Sequence, residues 1–483
     1  MRLAPRISFV LASLVCPAQI ALAETALNIG SRLELFVDDF LIQRLDGAQL
    51  KLHEPVAAGV ALRFDQPWEG SFCGYVTVIQ DGSLLRMYYR GLPGAGRDNS
   101  TNEVTCYAES RDGIAWTKPA RSLFEVRGTR SNNVVLAYAP PFSSNFAPFL
   151  DTRPGVSATE RFKALAGSSK SGLVAFISGD GIHWRKLRNA PVFTQGVFDS
   201  QNVAFWSEAE HCYALYFRSW TSGEYRGFRS VSRTTSTNFL DWSAPVEMTF
   251  GDTPREHLYT SQTHPYFRAP HIYLATPMRF VPGRKVLTDG QAAALGVQKG
   301  YVGDCADAVL MSSRAGNHYS RTFMESLIRP GPDPGNWASR AGLTALGIVP
   351  TGPAEISLYK QAHYAQPSAH LVRYALRTDG FVSVNAPYCG GEMTTKPLTF
   401  AGRELAINLA TGATGSVKME LQDADGKPLP GFTLADAREE VGDEIERVVR
   451  WQNGSDVSGL AGKPVRLRFV MKDADLYSLR FRP

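Results

Sequence analysis

What most constrains this chain is a repeat. Ser110-Arg-Asp112-Gly113-Ile-Ala-Trp116 returns as Ser178-Gly-Asp180-Gly181-Ile-His-Trp184 and, in weaker forms, as Ser236-Thr-Asn238-Phe-Leu-Asp-Trp242 and Ser313-Arg-Ala315-Gly316-Asn-His-Tyr319. Thr378-Asp379-Gly380-Phe381 is a fifth copy. Each follows an alternating or β-branched run: Val104 to Ala108, Leu173 to Ile177, Arg229 to Thr234, Ala308 to Met311 and Leu371 to Leu376. Asp-Gly supplies the positive φ of a tight hairpin turn, and the aromatic residue that follows returns on the outer strand to pack between neighbouring sheets. The interval between copies is long for one hairpin and suits one four-stranded sheet. Five copies therefore predict five such sheets around an axis, a five-bladed β-propeller, with a degenerate sixth blade as the alternative count.

The intervening sequence agrees. Tyr75 to Ile79 and Leu84 to Tyr89 flank Asp81-Gly82 as a hairpin, and Asn202 to Trp206 with Cys212 to Phe217 is its counterpart in the third unit. Helical periodicity is confined to a short stretch around Thr288 to Leu295. After Val384 the texture changes. Leu398 to Phe400, Glu404 to Leu409, Ser416 to Leu421, Val448 to Trp451, Val465 to Met471 and Tyr477 to Phe481 read as strands between Gly, Pro and Asp turns, the pattern of a β-sandwich. The expected organisation is all-β: residues 24–383 a propeller, residues 384–483 a sandwich.

The first 23 residues read as a signal peptide. Arg2 and Arg6 precede an apolar stretch that ends in Ala21-Leu22-Ala23, which predicts cleavage before Glu24 and a secreted or periplasmic product. No later segment is long and apolar enough to span a bilayer. The net charge of +5 is not gathered into a basic block, so nucleic acid is not an expected partner. Cys73, Cys106, Cys212, Cys305 and Cys389 are far apart and have neither disulfide-framework nor zinc spacing, so no metal site is expected. Gly91 to Gly96 lies between strands and opens no helix, which argues against a nucleotide cofactor.

The inner strands of a propeller present side chains to a shared axial pocket. Positions just before or along the expected inner strands carry Glu69, Asn145, Asp199, Glu256 and Glu355. Converging carboxylates are what glycoside hydrolysis needs, one to protonate the leaving oxygen and one to act as nucleophile or to activate water. Arg90, Arg218 and Arg279 stand at matching ends of the second strands. They suit an acidic sugar, or the orientation of catalytic acids, or ties between blades. Trp68, Tyr259, Tyr266, Tyr359 and Tyr364 could stack on sugar faces, and His264 could donate a hydrogen bond. Asp38-Asp39 is an acidic pair in an apolar strand, expected as a strand-end cap or a catalytic element.

With the repeats and the order of domains in view, the chain resembles the five-bladed propeller glycosidases of families 32 and 43. Leu35-Phe-Val-Asp-Asp39, Trp68-Glu-Gly70, Phe149-Leu-Asp151, Phe198-Asp-Ser-Gln-Asn202 and Arg329-Pro-Gly-Pro-Asp-Pro334 look like a group of bacterial family 32-like secreted proteins. The resemblance implies a carbohydrate substrate, with Glu69 as nucleophile or base and Asp199 as acid. The Asn-Asp-Pro-Asn, Arg-Asp-Pro and Glu-Cys motifs of family 32 are absent, so fructan hydrolysis is not implied. In the position of the family's second-blade acid stands Asn145, with Asp151 farther along. Two other readings stay open: a sialidase-like enzyme that uses the arginines for an acidic sugar and would need six blades and a nucleophilic tyrosine, and a non-catalytic carbohydrate-binding propeller.

Overall fold

The computed structural model describes residues 25–94 and 100–483; the expected signal peptide lies outside them. Five antiparallel sheet units follow one another. Blade I comprises Gly74–Asp81, Leu84–Gly91, Val104–Ser110 and Val134–Leu136. Blade II comprises Ala147–Leu150, Phe162–Ser168, Gly172–Ser178 and Arg185–Lys186. Blade III comprises Val203–Ser207, Cys212–Trp220, Arg229–Ser236 and Val246–Glu247. Blade IV is split into Thr263–Tyr266, Ala269–Ala275 and Met311–Ser313, and His257–Leu258, Met278–Val281 and Cys305–Ala308. Pro277 falls between the two pieces, where a residue without an N–H cannot continue the ladder. Blade V comprises Val349–Pro350, Glu355–Ala362 and His370–Arg377, and its outermost strand is Val56–Arg63, from the start of the chain.

The first strands form the ring. Gly74–Asp81 touches both Ala147–Leu150 and Val349–Pro350, Ala147–Leu150 touches Val203–Ser207, and that strand touches Thr263–Tyr266. Gln262 Nε2 donates to Thr344 O at 2.6 Å and closes the circuit between blades IV and V. Because each sheet is covered on both faces by its neighbours, its inner strands are buried nearly throughout, as in Phe162–Ser168 and Gly172–Ser178.

The repeat does more than turn the chain. Asp112 Oδ1 accepts the amides of Ile114 and Ala115, Asp180 Oδ1 those of Ile182 and His183, and Asn238 Oδ1 those of Leu240 and Asp241. Three of the five turns also receive a neighbour. Tyr359 OH of blade V donates to Gly113 O, Tyr88 OH of blade I to Gly181 O and Tyr216 OH of blade III to Gly316 O, at 2.6, 2.9 and 2.7 Å. Glycine is required at 113 and 181 twice over: φ is +71° and +73°, and a Cβ would meet the approaching tyrosine hydroxyl at 3.0 and 2.6 Å.

The second module departs from the expected boundary. One ten-stranded sheet joins strands from both ends of the chain: Leu27–Gly30, Glu34–Leu35, Ile42–Asp46 and Gln49–Leu52 pair with strands between Val382 and Arg482. The break expected at residue 383 falls inside the strand Val382–Ala386, which belongs to this sheet. Glu404–Asp423 and Val465–Arg482 run through the module, with register shifts between Asn408 and Leu409 and between Thr411 and Ser416. Their two halves share one core that contains Leu405, Ile407 and Leu409 together with Val417, Met419 and Leu421. The sheet is therefore folded over on itself.

Asp289–Ala294 is a helix with a capping box from Thr288 and Gln291, where the short stretch was expected. The five described cysteines are all unpaired, and no described helix is long and apolar enough to cross a membrane.

Candidate active site

Second strands end, and third strands begin, at one end of the axis, where the approaches to the first strands also lie. The side chains gathered there form an arginine–tyrosine cluster. Arg218, at the end of Cys212–Trp220, donates from Nη1 to Asp199 Oδ1 at 2.9 Å and from Nη2 to Tyr259 O at 2.7 Å. Its guanidinium lies 4.0 Å from the centre of the Tyr259 ring. The guanidinium of Arg340, on the approach to blade V, is 5.5 Å from the same ring and 4.8 Å from that of Tyr301. Arg229, the first residue of its strand, stands 5.7 Å from Tyr259, 4.7 Å from Trp220 and 4.6 Å from Phe280. On the blade I side, Arg90 donates to Phe72 O and to Tyr364 OH at 3.0 Å and lies 4.8 Å from the Tyr75 ring. Tyr75 OH in turn donates to Asp199 O at 3.3 Å.

Burial is the largest influence on the Tyr259 hydroxyl and pushes its pKa up, yet Arg218 and Arg340 together hold it below the ordinary tyrosine value. Tyr364, with burial prevailing over Arg90, goes the other way, to about 12. Among the described residues Asp199 is the carboxylate of this cluster that remains accessible, with 30% of its side chain exposed. Glu103, just before the third strand of blade I, is fully buried and accepts from Ser144 Oγ at 3.4 Å.

Deeper along the axis the expected ring of acids is a ring of amides. Asn145 Nδ2 donates to Gly167 O, Phe198 O and Ser200 O. Gln201 Nε2 reaches Thr77 Oγ1, Gln262 Nε2 reaches Gln201 Oε1, and Gln361 Nε2 reaches Cys73 O. These groups lock neighbouring blades together and carry no charge.

The other acids singled out from the sequence stand apart from Asp199, and no two of the four share an ion-pair partner. Glu69 is buried on the outer side of blade I, where it accepts from Tyr89 OH at 2.5 Å and Lys118 Nζ at 2.6 Å. Trp68 beside it donates to Asn133 Oδ1 at 2.8 Å. Glu256 pairs with Arg279 and Arg321, and Arg279 is also clamped by Asp307. Glu256 and Arg279 line a separate cavity of about 740 Å³ with Arg284, Arg329 and Trp337. Glu355 begins its strand at the opposite end from the cluster. Burial raises its pKa, but Thr351 and Arg373 outweigh that and bring it below the usual value.

His264 has its Nδ1 3.3 Å from Gln262 O and its Nε2 buried without a partner; burial pushes its pKa down to about 4. Of the aromatic residues, Tyr259 and Tyr364 are in the cluster. Tyr266 bonds Asp379, and Tyr359 bonds the blade I turn. Asp38 caps Phe40 N and grips Arg314 with both oxygens, while Asp151 is paired with Lys163 at 2.5 Å. Arg229 and Arg340 were not evident from the sequence. Arg340 lies in a loop without a motif, and Arg229 looks like one polar position of an alternating strand.

No family model matches the chain. A stretch of 69 residues is 39% identical to a sucrose-6-phosphate hydrolase of Escherichia coli and spans 14% of this chain and 14% of that protein's length. Solved structures similar to the chain include glycoside hydrolases. One described by that name alone has a TM-score of 0.44 at 11% identity, over 67% of this chain and 92% of the other. A family 43 arabinoxylan arabinofuranohydrolase of Bacillus subtilis has a TM-score of 0.40 at 11% identity, over 88% and 99%. A fructofuranosidase of Schwanniomyces occidentalis has a TM-score of 0.39 at 10% identity, over 94% and 99%.

Proposed function

We propose that the protein is a secreted or periplasmic glycoside hydrolase whose bond-breaking groups are Asp199 and Tyr259. The observation that carries this reading is the constellation of an accessible carboxylate and an acidified phenol around one guanidinium, at the axial end where five blades converge. The short likeness to a curated hydrolase supports it. Arg218 holds Asp199 as the nucleophile. A carboxylate oxygen of Asp199 attacks the anomeric carbon, the glycosidic C–O bond breaks, and the leaving oxygen takes the Tyr259 proton. Water then attacks the same carbon and gives its proton to the Tyr259 phenolate, which frees the carboxylate. A phenol whose pKa is brought down towards the working pH is better matched to this donor role than an ordinary one.

Release of reducing sugar from a panel of plant, algal and microbial glycans is the direct test. Asp199→Asn and Tyr259→Phe should each lower kcat by roughly 10²–10⁴-fold with the fold intact. Undiminished turnover in either variant would remove that residue from the reaction, and no turnover by the wild type on any glycan would remove the reaction itself. The five blades disfavour the six-bladed sialidase-like alternative.

A further inference from the structure

The arginines of the axial cluster are not equivalent in how their charge is answered. Arg218 is neutralised by Asp199, and Arg279, outside the cluster, by Glu256 and Asp307. Arg90 spends its donors on Phe72 O and Tyr364 OH. Arg229 and Arg340 differ. Among the described residues neither guanidinium has a carboxylate partner or a hydrogen-bond acceptor, and the Nε of each is buried and unsatisfied. Both face the Tyr259 ring, with Arg218 as a third cation on it. Arg218 and Arg340 oppose the charge on Arg229 in addition to its burial.

Holding like charges together in a half-buried site is unfavourable unless something anionic completes it, and buried donors without acceptors add to that cost. Guanidinium is the group best shaped to bind carboxylate, sulfate or phosphate oxygens in pairs. Trp220 and Tyr301, both partly exposed, supply aromatic surface beside these guanidinium groups, suited to the apolar face of a ring.

We infer that Arg229 and Arg340 form the seat for an anionic group carried by the sugar, so that the substrate is an acidic or esterified saccharide rather than a neutral one. This rests on the axial cluster being the hydrolytic site. It replaces Arg90, Arg218 and Arg279, the arginines that stood out in the sequence, with two whose charge is still open.

The test is ligand-induced stabilisation and calorimetric binding of the whole protein with D-glucuronate, glucose 6-sulfate, glucose 6-phosphate and inorganic sulfate, with glucose as the neutral control. The anions should bind and raise Tm where glucose at equal concentration does not, and the ranking among them separates carboxylate from sulfate and phosphate. Arg229→Gln and Arg340→Gln should each weaken the anions by about tenfold or more, and Arg284→Gln, a substitution in the separate cavity, should leave binding unchanged. Equal binding of glucose, or no binding of any anion to the wild type, would overturn the proposal without need of variants. Unchanged anion affinity in both folded variants would do the same. Anion binding without any glycan cleavage would sink the hydrolase reading alone, whereas cleavage confined to neutral glycans would sink this inference alone.

Discussion

Glu69 shows how a side chain can have the right chemistry in the wrong place. Its carboxylate is buried, yet everything it touches belongs to blade I and the segment around it. Glu69→Gln should cost about 1–3 kcal/mol in denaturant unfolding, because a charge-assisted bond to Lys118 is lost while Asp65 still accompanies the lysine. The same variant should keep its glycan-cleaving activity, the reverse of Asp199→Asn. Sequence position alone could not separate the two acids, since both precede a first strand. What separates them is the path of the chain. Asp199 leads directly into Val203–Ser207, but residues 66–70 turn back beneath the loop at Pro93, and Gly70 is so close to it that a Cβ would lie 2.9 Å from Pro93 Cα. The amides at Asn145, Gln201 and Gln262 were legible as residues. That they take the axial positions where acids were expected depended on register, which no local pattern reports.

At the scale of the element, the repeat was the most readable feature of the sequence because its information is local. Ser, Asp and Gly satisfy one another within a few residues, so the motif marks the end of a third strand whatever surrounds it. What it could not show was the tyrosine from the next sheet that completes it. Tyr88→Phe, Tyr216→Phe and Tyr359→Phe should each destabilise the protein by about 1 kcal/mol in equilibrium unfolding, since each removes one buried hydroxyl-to-carbonyl bond and leaves the ring in place. The blade III copy carries Phe239 in place of glycine and packs it on Phe149 and Tyr213. A turn filled by a ring has no room for the hydroxyl bond, which is why this copy looks degenerate in sequence and still does its structural work. Blade IV was recognised by its turn, but its division at Pro277 was not, because the interruption is one of backbone pairing.

For the molecule as a whole, buried charge is one of the ties between the two modules, beside an apolar cluster that joins Leu33, Leu35 and Val37 to Ile272 and Leu310. Arg314 of blade IV holds Asp38 through Nε and Nη2 at 3.0 and 2.9 Å and also pairs with Glu34, which His271 approaches at 3.1 Å. Replacement by an apolar side chain strands two carboxylates, so Arg314→Leu should cost about 3–5 kcal/mol. Hydrogen exchange should find the loosening concentrated at residues 34–38 and 311–314; exchange unchanged there would show that other contacts, such as Arg268 with Glu446 and Asp379 with Ser478, suffice to join the modules. The acidic pair was visible in the sequence, but its cation lies far along the chain. The same distance explains why the sequence alone groups the N-terminal strands with the propeller: nothing near Leu27 or Gln49 announces a partner from the opposite end of the chain.

That arrangement bears on how the protein comes into being. Val56–Arg63 finishes a blade whose other strands, Val349 to Arg377, are made only after blades I to IV, and Leu27–Leu52 waits for companions between Val382 and Arg482. On a chain emerging from the ribosome, residues 27–63 are thus left without their strand partners until residues 370 and beyond appear. The blades can close once Arg377 is made, whereas the second module waits for Val465–Arg482, so a product cut short before that strand keeps its blades and forfeits the sheet that holds Leu27–Leu52.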